Sequence, residues 1–565
     1  MLTALHLGNF KAFAEIQNIP IRPITLIFGP NSAGKSSIIH SLALAHEASR
    51  KGDLDIFRTE VGGSSIDLGG FRQYIHRRQA NRRMEWGATF DTSCLSGRLG
   101  ELLKPVGTIS AHITIGMPLD DQDKPLAGTL PGVISYELES RGEMLVRMSK
   151  RPDGSMAVDR LNHDHPVIKQ VVMAVLESGT TTQNVQEADY NALTETIAEI
   201  VSSLRTTGSK FFPEGIVDKS KQTEETDTPM PFFSVSKGNR TEDLSRALRF
   251  FLPRSLNELV TGLSKTVQTE FARLLYLGPL RSYPPRHLAF SEHDDINWYA
   301  GGGYTWDVVR RNDAVRESVN EWLSSSKLKT PYKLMVRSLV AADRLKEPIE
   351  SGLAQIENDE EAMFVGSIDK DGYVMKHYPP KDDSRCFFED IETSAELIAK
   401  IVESAEIDRI RDLVLVDQRS NTVVTHRDVG IGISQVLPVL VMAYGSQHKL
   451  VAMEQPEIHL HPALQAELGD VFIKSALGEQ KNTFILETHS EHLILRFMRR
   501  LRETYQKKDN GLPPITPMDI SVLYVEPDGP HSIVREMPLN ELGELVKAWP
   551  GGFFEEGLRE QFGDA

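Results

Sequence analysis

GPNSAGKS, Gly29 to Ser36, is the stretch on which the reading of this chain turns. It fits the pattern G-x-x-x-x-G-K-[ST], and its neighbours supply the context that the pattern requires. Ile24, Leu26, Ile27 and Phe28 precede it as a short buried strand. From Lys35 a helix follows, with Ile38, Ile39, Leu42 and Leu44 at its apolar positions. Gly29 and Gly34 let the backbone turn so that successive N–H groups face a phosphate chain, and the helix N-terminus adds partial positive charge. Lys35 is placed to reach β- and γ-phosphates, and Ser36 to offer its hydroxyl to Mg2+. Asn31, Ser32, Ala33 and Ser37 complete the expected nucleotide-binding loop.

Working outward, Leu2–Leu7 alternates as a strand does, and strand-like runs return at Met84–Phe90 and Ile109–Ile115. Beyond residue 160 the pattern turns helical, over Val167–Leu176, Ala188–Leu204 and Leu256–Leu275. Thr206–Ser245 lacks periodicity and reads as a loop. The strand-turn LYLGPLRSYPPR (Leu275 to Arg286) leads into a last third that alternates strand and helix. There Leu413–Val416, Thr422–Val424, Leu450–Met453 and Thr483–Leu486 read as strands; Ser434–Tyr444, Pro462–Leu477 and Glu491–Arg502 read as helices. No repeat of solenoid period occurs.

Composition sets the bounds. The 565 residues are 40% hydrophobic and 25% charged, the balance of a globular protein of several domains. No apolar run approaches the roughly 18 residues that span a bilayer, and MLTALHLGNFKAF has no signal-peptide pattern. Cys94 and Cys386 provide neither a disulfide framework nor a zinc site and suit a reducing cytosol, so a cytoplasmic location away from membranes is expected. A formal charge of −16 argues against coating nucleic acid over the whole surface. The basic strip YIHRRQANRR (Tyr74 to Arg83) reads first as a solvated strand or loop edge, with DNA contact as the alternative.

Three downstream segments carry chemistry. LVAMEQPE (Leu450 to Glu457) is an apolar strand ending in acid, where Glu454 can hold Mg2+. The next residue, Gln455, is an amide that cannot take a proton, at the position where the ABC-type heads that this segment resembles carry the water-polarising glutamate; the resemblance therefore makes Glu457 the candidate general base and implies slow turnover. FILETHSEH (Phe484 to His492) places His489 just past the following strand, near the expected γ-phosphate. In VGIGISQVLPVLV (Val429 to Val441), Gly430 and Gly432 leave the backbone open and Ser434 and Gln435 begin a helix able to receive a phosphate.

In this order, GPNSAGKS, GIGISQ, AMEQPE and ETHS, with the opening LGNFKAF, resemble the ABC-type heads of RecF, chromosome-maintenance and OLD-family ATPases. The resemblance implies that Ser434, flanked by Gly432 and Gln435, touches the γ-phosphate of nucleotide held by the opposite subunit, so that the site forms only in a homodimer of heads. It makes Gln73 either a γ-phosphate-sensing glutamine or a strand-edge residue. DVGIGISQVLP (Asp428 to Pro438), EQPEIHLHPALQ (Glu454 to Gln465), ETHSEHLILR (Glu487 to Arg496) and AWPGGFFEEGL (Ala548 to Leu558) are similar to blocks of a bacterial subset of AAA-like ATPases. Many such proteins are encoded in anti-phage defence systems beside a nuclease or toxin. The pattern departs from OLD nucleases: 76 residues follow His489, too few for a Toprim nuclease domain. The insertion lacks the heptads of a long coiled coil. His459 and His461 alternate in EIHLHP, but the resemblance places His461 on a dimer-facing loop and speaks against zinc. Arg281 and Arg286 read as ion pairs within the fold, or as nucleotide or partner contacts.

The expected fold is α/β, an ABC-type P-loop ATPase head assembled from the two ends of the chain around a mainly helical insertion. Residues 1–150 form the N-terminal lobe, 151–270 the insertion facing a partner or DNA, 271–510 the C-terminal lobe, and 511–565 a small terminal module. The expected activity is slow ATP hydrolysis with Mg2+, in which head dimerisation, or a higher oligomer, controls a separate nuclease or toxin. A DNA-repair or chromosome clamp, a self-sufficient nuclease and a non-hydrolysing scaffold are the alternatives.

Overall fold

The structure is a computed structural model that describes residues 1–94, 100–101, 103–179, 187–208, 211–219, 240–282, 296–323, 330–339, 344–351, 365–368, 374–377, 399, 410–424, 429 and 431–550. Strands β1 (Leu2–Gly8), β2 (Gln17–Pro20) and β3 (Ile24–Phe28) precede the P-loop. A meander follows: β4 (Met84–Asp91), β5 (Thr108–Gly116), β6 (Gly132–Ser140), β7 (Glu143–Lys150) and β8 (Met156–Leu161). The short strands β9 (Leu204–Thr207) and β10 (Gly215–Asp218) lie among the helices of the insertion. The second half supplies β11 (Leu274–Leu277), β12 (Tyr332–Leu339), β13 (Val365–Ile368), β14 (Val374–His377), β15 (Ile410–Asp417) and β16 (Thr422–Val424). Last come β17 (Leu450–Glu454), β18 (Thr483–Glu487), β19 (Ile520–Asp528) and β20 (His531–Glu536).

Two sheets dominate the described residues. One is antiparallel, in the order β10-β9-β8-β7-β6-β5-β4-β1-β2; the other runs β11-β17-β18-β3-β19-β20 and is parallel except for its last pair. Every residue of β3, β17 and β18 is buried, as expected of parallel strands covered on both faces. Strands β4 and β5 instead alternate buried and half-buried positions, one face on the core and one toward solvent. The P-loop helix (Lys35–Lys51) lies between these layers and packs against the 33-residue helix Arg240–Ala272. Trp86 seals the layer beneath, edge-on to Phe211 at 5.1 Å and Phe271 at 5.3 Å.

The fold is α/β and assembled from both ends of the chain, as expected, with β3 from the N-terminal part set beside β18 and β19 from the C-terminal part. The insertion is mainly helical, yet its strands β8, β9 and β10 extend the antiparallel sheet. Several local readings change. The helix expected over Ala188–Leu204 is two pieces, Glu187–Ala192 and Thr194–Ser203, and Leu204 already starts β9. The helix expected from Leu256 begins at Arg240, because Leu244, Leu248 and Leu252 continue its buried stripe upstream. Of the segment expected to be a loop, 209–210 and 220–239 lie outside the described residues. Residues 520–536, expected within a terminal module, form β19 and β20, and Arg22 ties them to the N-terminal part through the carbonyls of Pro517 (2.8 Å) and Ile520 (2.7 Å). Trp549 packs against Phe28 and Tyr524; Phe553 and Phe554 lie outside the described residues.

Candidate nucleotide-binding site

The P-loop turns where its sequence allows. Gly29 and Gly34 have φ of 146° and 94°, and Ser32 takes a left-handed φ of 63°. A Cβ at Gly34 would lie 2.4 Å from that of Ala12, so the turn of LGNFKAF seats directly on the loop. Asn31 and Ser32 are exposed, whereas Ala33, Lys35 and Ser37 are buried. The Lys35 ammonium donates to the carbonyls of Gly29 (3.1 Å) and Pro30 (3.0 Å), which holds it over the loop.

Strand ends carry the acids to it. In the parallel register Glu454 stands beside Glu487, so both carboxyls leave the same edge of the sheet. Ser36 Oγ donates to Glu487 Oε2 at 2.7 Å, and Lys35 Nζ lies 4.0 Å from Glu487 Oε1. Burial, with the adjacent charge of Glu454, pushes the Glu487 carboxyl up to about 7, against the opposing pull of Ser36 and Lys35. Burial likewise lowers Lys35, and the three nearby carboxylates Glu487, Glu454 and Glu457 oppose that. Glu454 Oε1 accepts from the Tyr276 hydroxyl at 2.9 Å, in a buried contact that also raises the phenol. His40 Nε2 lies 3.7 Å from the same oxygen, while His40 Nδ1 contacts the Lys11 ammonium. That lysine leaves Nε2 as the protonated nitrogen of a neutral ring. Burial brings Lys11 down to about 8, opposed by Glu454 and Asp67.

Glu457 sits in the turn after β17. Its Oε1 accepts the His489 backbone N–H at 2.8 Å, and its Oε2 is buried with no hydrogen-bond partner among the described residues. Burial raises this carboxyl, while the His489 N–H, the Thr488 hydroxyl and the Arg281 charge favour its ionised form. A carboxylate of raised basicity, with one oxygen fixed and the other unbonded, has the properties of a proton acceptor. His489 is half-buried and its imidazole is lowered by burial and by the Lys35 charge. Ser36, Glu454 and Glu487 thus present hard oxygen donors side by side, a set that fits Mg2+. His461 caps the helix Pro462–Leu477, its Nδ1 accepting the Ala463 backbone N–H at 3.3 Å.

The helix Ile431–Gly445 brings Ser434 and Gln435 to the same end of the sheet. A Cβ at Gly432 would lie 2.8 Å from the His459 carbonyl oxygen, so only glycine lets the helix start meet the acid turn this closely. Ser434 is buried in its own head, at 2% exposure, rather than presented on an open face. Gly430 lies outside the described residues. Gln73 is not at a strand edge. It is exposed on the short helix Phe71–Tyr74 and lines an open cleft with Lys11, Asp67, Arg77 and Arg78. In the basic strip Tyr74, Ile75 and His76 are buried, and Arg77 and Arg78 face solvent. Among the described residues Arg281 makes no ion pair; its Nη1 and Nη2 donate to backbone carbonyls instead. Arg286 lies outside the described residues.

Sequence reasoning missed Glu487, Lys11, His40 and Tyr276 as members of this site. Glu487 had a signal, because TFILE, like LVAME, is an apolar strand that ends in acid. For His40 and Tyr276 no local pattern exists, since their partner Glu454 is distant in sequence.

Two family models match. One, described as "AAA domain, putative AbiEii toxin, Type IV TA system", covers residues 270–496, and one described as "AAA domain" covers residues 4–106. No curated protein matches. Among solved structures, an Smc head bound to the C-terminal winged-helix domain of ScpA aligns at 9% identity and TM-score 0.33, over 95% of this chain and 98% of that one. The SMC head domain from Thermotoga maritima aligns at 9% and 0.29, over 95% and 99%. A Pyrococcus furiosus Smc head with extended coiled coil, bound to the C-terminal domain of ScpA, aligns at 9% and 0.32, over 95% and 96%. No helix among the described residues is long and apolar enough to cross a membrane. The matched AAA regions contain the P-loop at one end and the acid and histidine strands at the other, so both parts of the chain that build the parallel sheet are similar to AAA domains.

Proposed function

We propose that the chain is a slow, Mg2+-dependent ATP hydrolase in which two heads close on nucleotide, and that closure controls a separate nuclease or toxin in bacterial defence against phage. The observation that carries the catalytic half is the convergence of Lys35, Ser36, Glu454, Glu487 and Glu457 at one edge of the parallel sheet. The loop from Asn31 to Ser37 and Lys35 bind the phosphates, and Ser36, Glu454 and Glu487 hold Mg2+. The metal, when bound, neutralises charge that develops on the phosphate oxygens. Tyr276 and His40 orient the Glu454 carboxyl and limit its rotation. Glu457 accepts the proton of the attacking water, and His489, tied to it through the backbone, closes the γ-phosphate end. Gln73 and Lys11 border the open side of the site.

In this reading Gly432, Ser434 and Gln435 serve the nucleotide of the opposite head. Because Ser434 is covered in a single head, its presentation requires the helix Ile431–Gly445 or its cover to shift when heads meet. Turnover below the roughly 1–10³ s⁻¹ common for enzymes follows from an amide at Gln455 and from that rearrangement. Control of an effector needs a partner that contacts open and closed heads differently, by about 5.5 kcal/mol for a switch from mostly off to mostly on. The toxin–antitoxin description of the family matched over 270–496 supports a role in such conflict systems. The insertion over 151–270 is the surface offered to the partner, and the exposed Arg77 and Arg78 to DNA. The protein works in the cytoplasm. The test expresses this chain alone and with its neighbouring gene, then challenges the cells with phage. Protection only by the pair, lost with Lys35→Ala, is expected; protection or toxicity from this chain alone overturns control of a separate effector.

A further inference from the structure

Arg281 lies four residues past β11, on a loop fixed by the Gly278 N–H on the Ala300 carbonyl (2.8 Å) and the Ser282 N–H on the Gly301 carbonyl (2.9 Å). Its side chain is 6% exposed. Nη1 donates to the backbone carbonyl of Gln435 at 2.9 Å. Nη2 donates to the carbonyl of Gln455 at 2.8 Å and reaches that of Glu454 at 3.4 Å. In return Gln435 Nε2 donates to the Arg281 carbonyl at 3.4 Å. One planar guanidinium therefore joins the helix that carries Ser434 to the turn that carries Glu454 and Glu457.

A guanidinium so placed is costly. Burial drags it down to about 10, with Glu457 the acid that opposes the loss, and an apolar side chain would fill the space without that penalty. The helix it holds is also weakened where it is held. Pro438 has no N–H for the carbonyl four residues back, that of Ser434, so the first turn lacks part of its own ladder. The Gln435 carbonyl is the next one along, and Arg281 takes it from outside. Gly432 against the His459 carbonyl forms the other half of the same seam.

We propose that Arg281 is a positioning residue that couples the two halves of the site, the helix start bearing Ser434 and the acid turn bearing Glu454 and Glu457, so that neither moves without the other. The proposal rests on the roles given above to Ser434 and Glu457. Through this strut, engagement of Ser434 by one nucleotide is transmitted to the general base that acts on the other. Arg281 itself touches no phosphate. Lysine keeps the charge but offers a single point in place of the fork, so it cannot hold both carbonyls as arginine does.

The test compares the full-length wild type with R281K and R281M in ATP hydrolysis, in binding of a fluorescent ATP analogue, and in thermal unfolding. Expected are analogue affinities within about threefold of wild type, a kcat reduced at least tenfold in R281M, and partial recovery in R281K. A folded R281M with kcat within twofold of wild type overturns the proposal. So does a tenfold loss of affinity with kcat preserved, which would make Arg281 a nucleotide contact. If R281M does not fold, R281K decides: at least a fivefold loss of kcat at unchanged affinity supports the coupling, and wild-type kcat refutes it. A wild type without turnover, or Ser434→Arg turning over at the wild-type rate, would instead defeat the reading of the site on which the proposal stands.

Discussion

Replacing Glu487 by glutamine removes one of two carboxyls that stand side by side at the strand ends. In the folded protein burial and Glu454 displace its ionisation from the ordinary 4.5 to about 7. The unfolded chain therefore releases this proton earlier than the folded one as pH rises. Stability contributed by the protonated carboxyl is fully present below about pH 4.5 and is lost as pH climbs through about 7. At about 1.4 kcal/mol per pH unit the full displacement is worth up to about 3 kcal/mol. With an unfolding entropy of about 2.1 cal/mol/K per residue, that amounts to a melting shift of about 2–3 °C for a chain of this size. Glu487→Gln still accepts the Ser36 hydroxyl through its amide oxygen but does not titrate. Melting curves without Mg2+ should therefore lie within about 1 °C of each other for wild type and variant at pH 5 and separate by about 2–3 °C at pH 8, the variant being the more stable. Added Mg2+ should narrow that gap by stabilising the wild type alone. A difference between the two proteins that is constant from pH 5 to pH 8 would refute the reasoning.

Lys35→Ala should abolish binding of a fluorescent ATP analogue, because the ammonium held over the loop at the Gly29 and Pro30 carbonyls is removed; Ser434→Arg should bind the analogue as wild type does yet lose turnover. Glu457→Gln should lower kcat by about 10²–10⁴-fold with little change in analogue affinity, the usual worth of general-base assistance; a loss below twofold in steady-state assays would move the role to another group. Gly34→Ala should cost about 2–4 kcal/mol of stability in denaturant unfolding and weaken nucleotide binding, since its φ is left-handed and its new Cβ would meet Ala12 at 2.4 Å.

What could be read beforehand was local. The P-loop, β17 and the helix Pro462–Leu477 are stretches in which apolar period, glycine and acid coincide within a dozen residues; the helix falls where expected, and the strand expected over Leu450–Met453 runs one residue further, to Glu454. Lys35 and Ser36 were legible because a phosphate loop imposes their spacing. The hairpins from β6 to β8 and from β19 to β20 are not legible in the sequence, because their strands are recognisable only by what they pair with. The same holds within the site. Tyr276 and His40 reach Glu454 from distant elements, and Arg281 acts on backbone carbonyls, which no sequence displays. Glu487 is readable in the sequence, because TFILE is an apolar strand that ends in acid just as LVAME is.

The central claim is that the site is completed between two heads. Light scattering on the full-length Glu457→Gln protein, with and without saturating ATP and Mg2+, measures it directly. The account predicts the mass of a single 63.2 kDa chain, or a weak equilibrium above it, without nucleotide, and a shift to about twice that mass with it. The shift should be lost in Lys35→Ala. A mass that nucleotide leaves unchanged, in a wild-type protein whose specific ATPase activity is also independent of protein concentration, would contradict it.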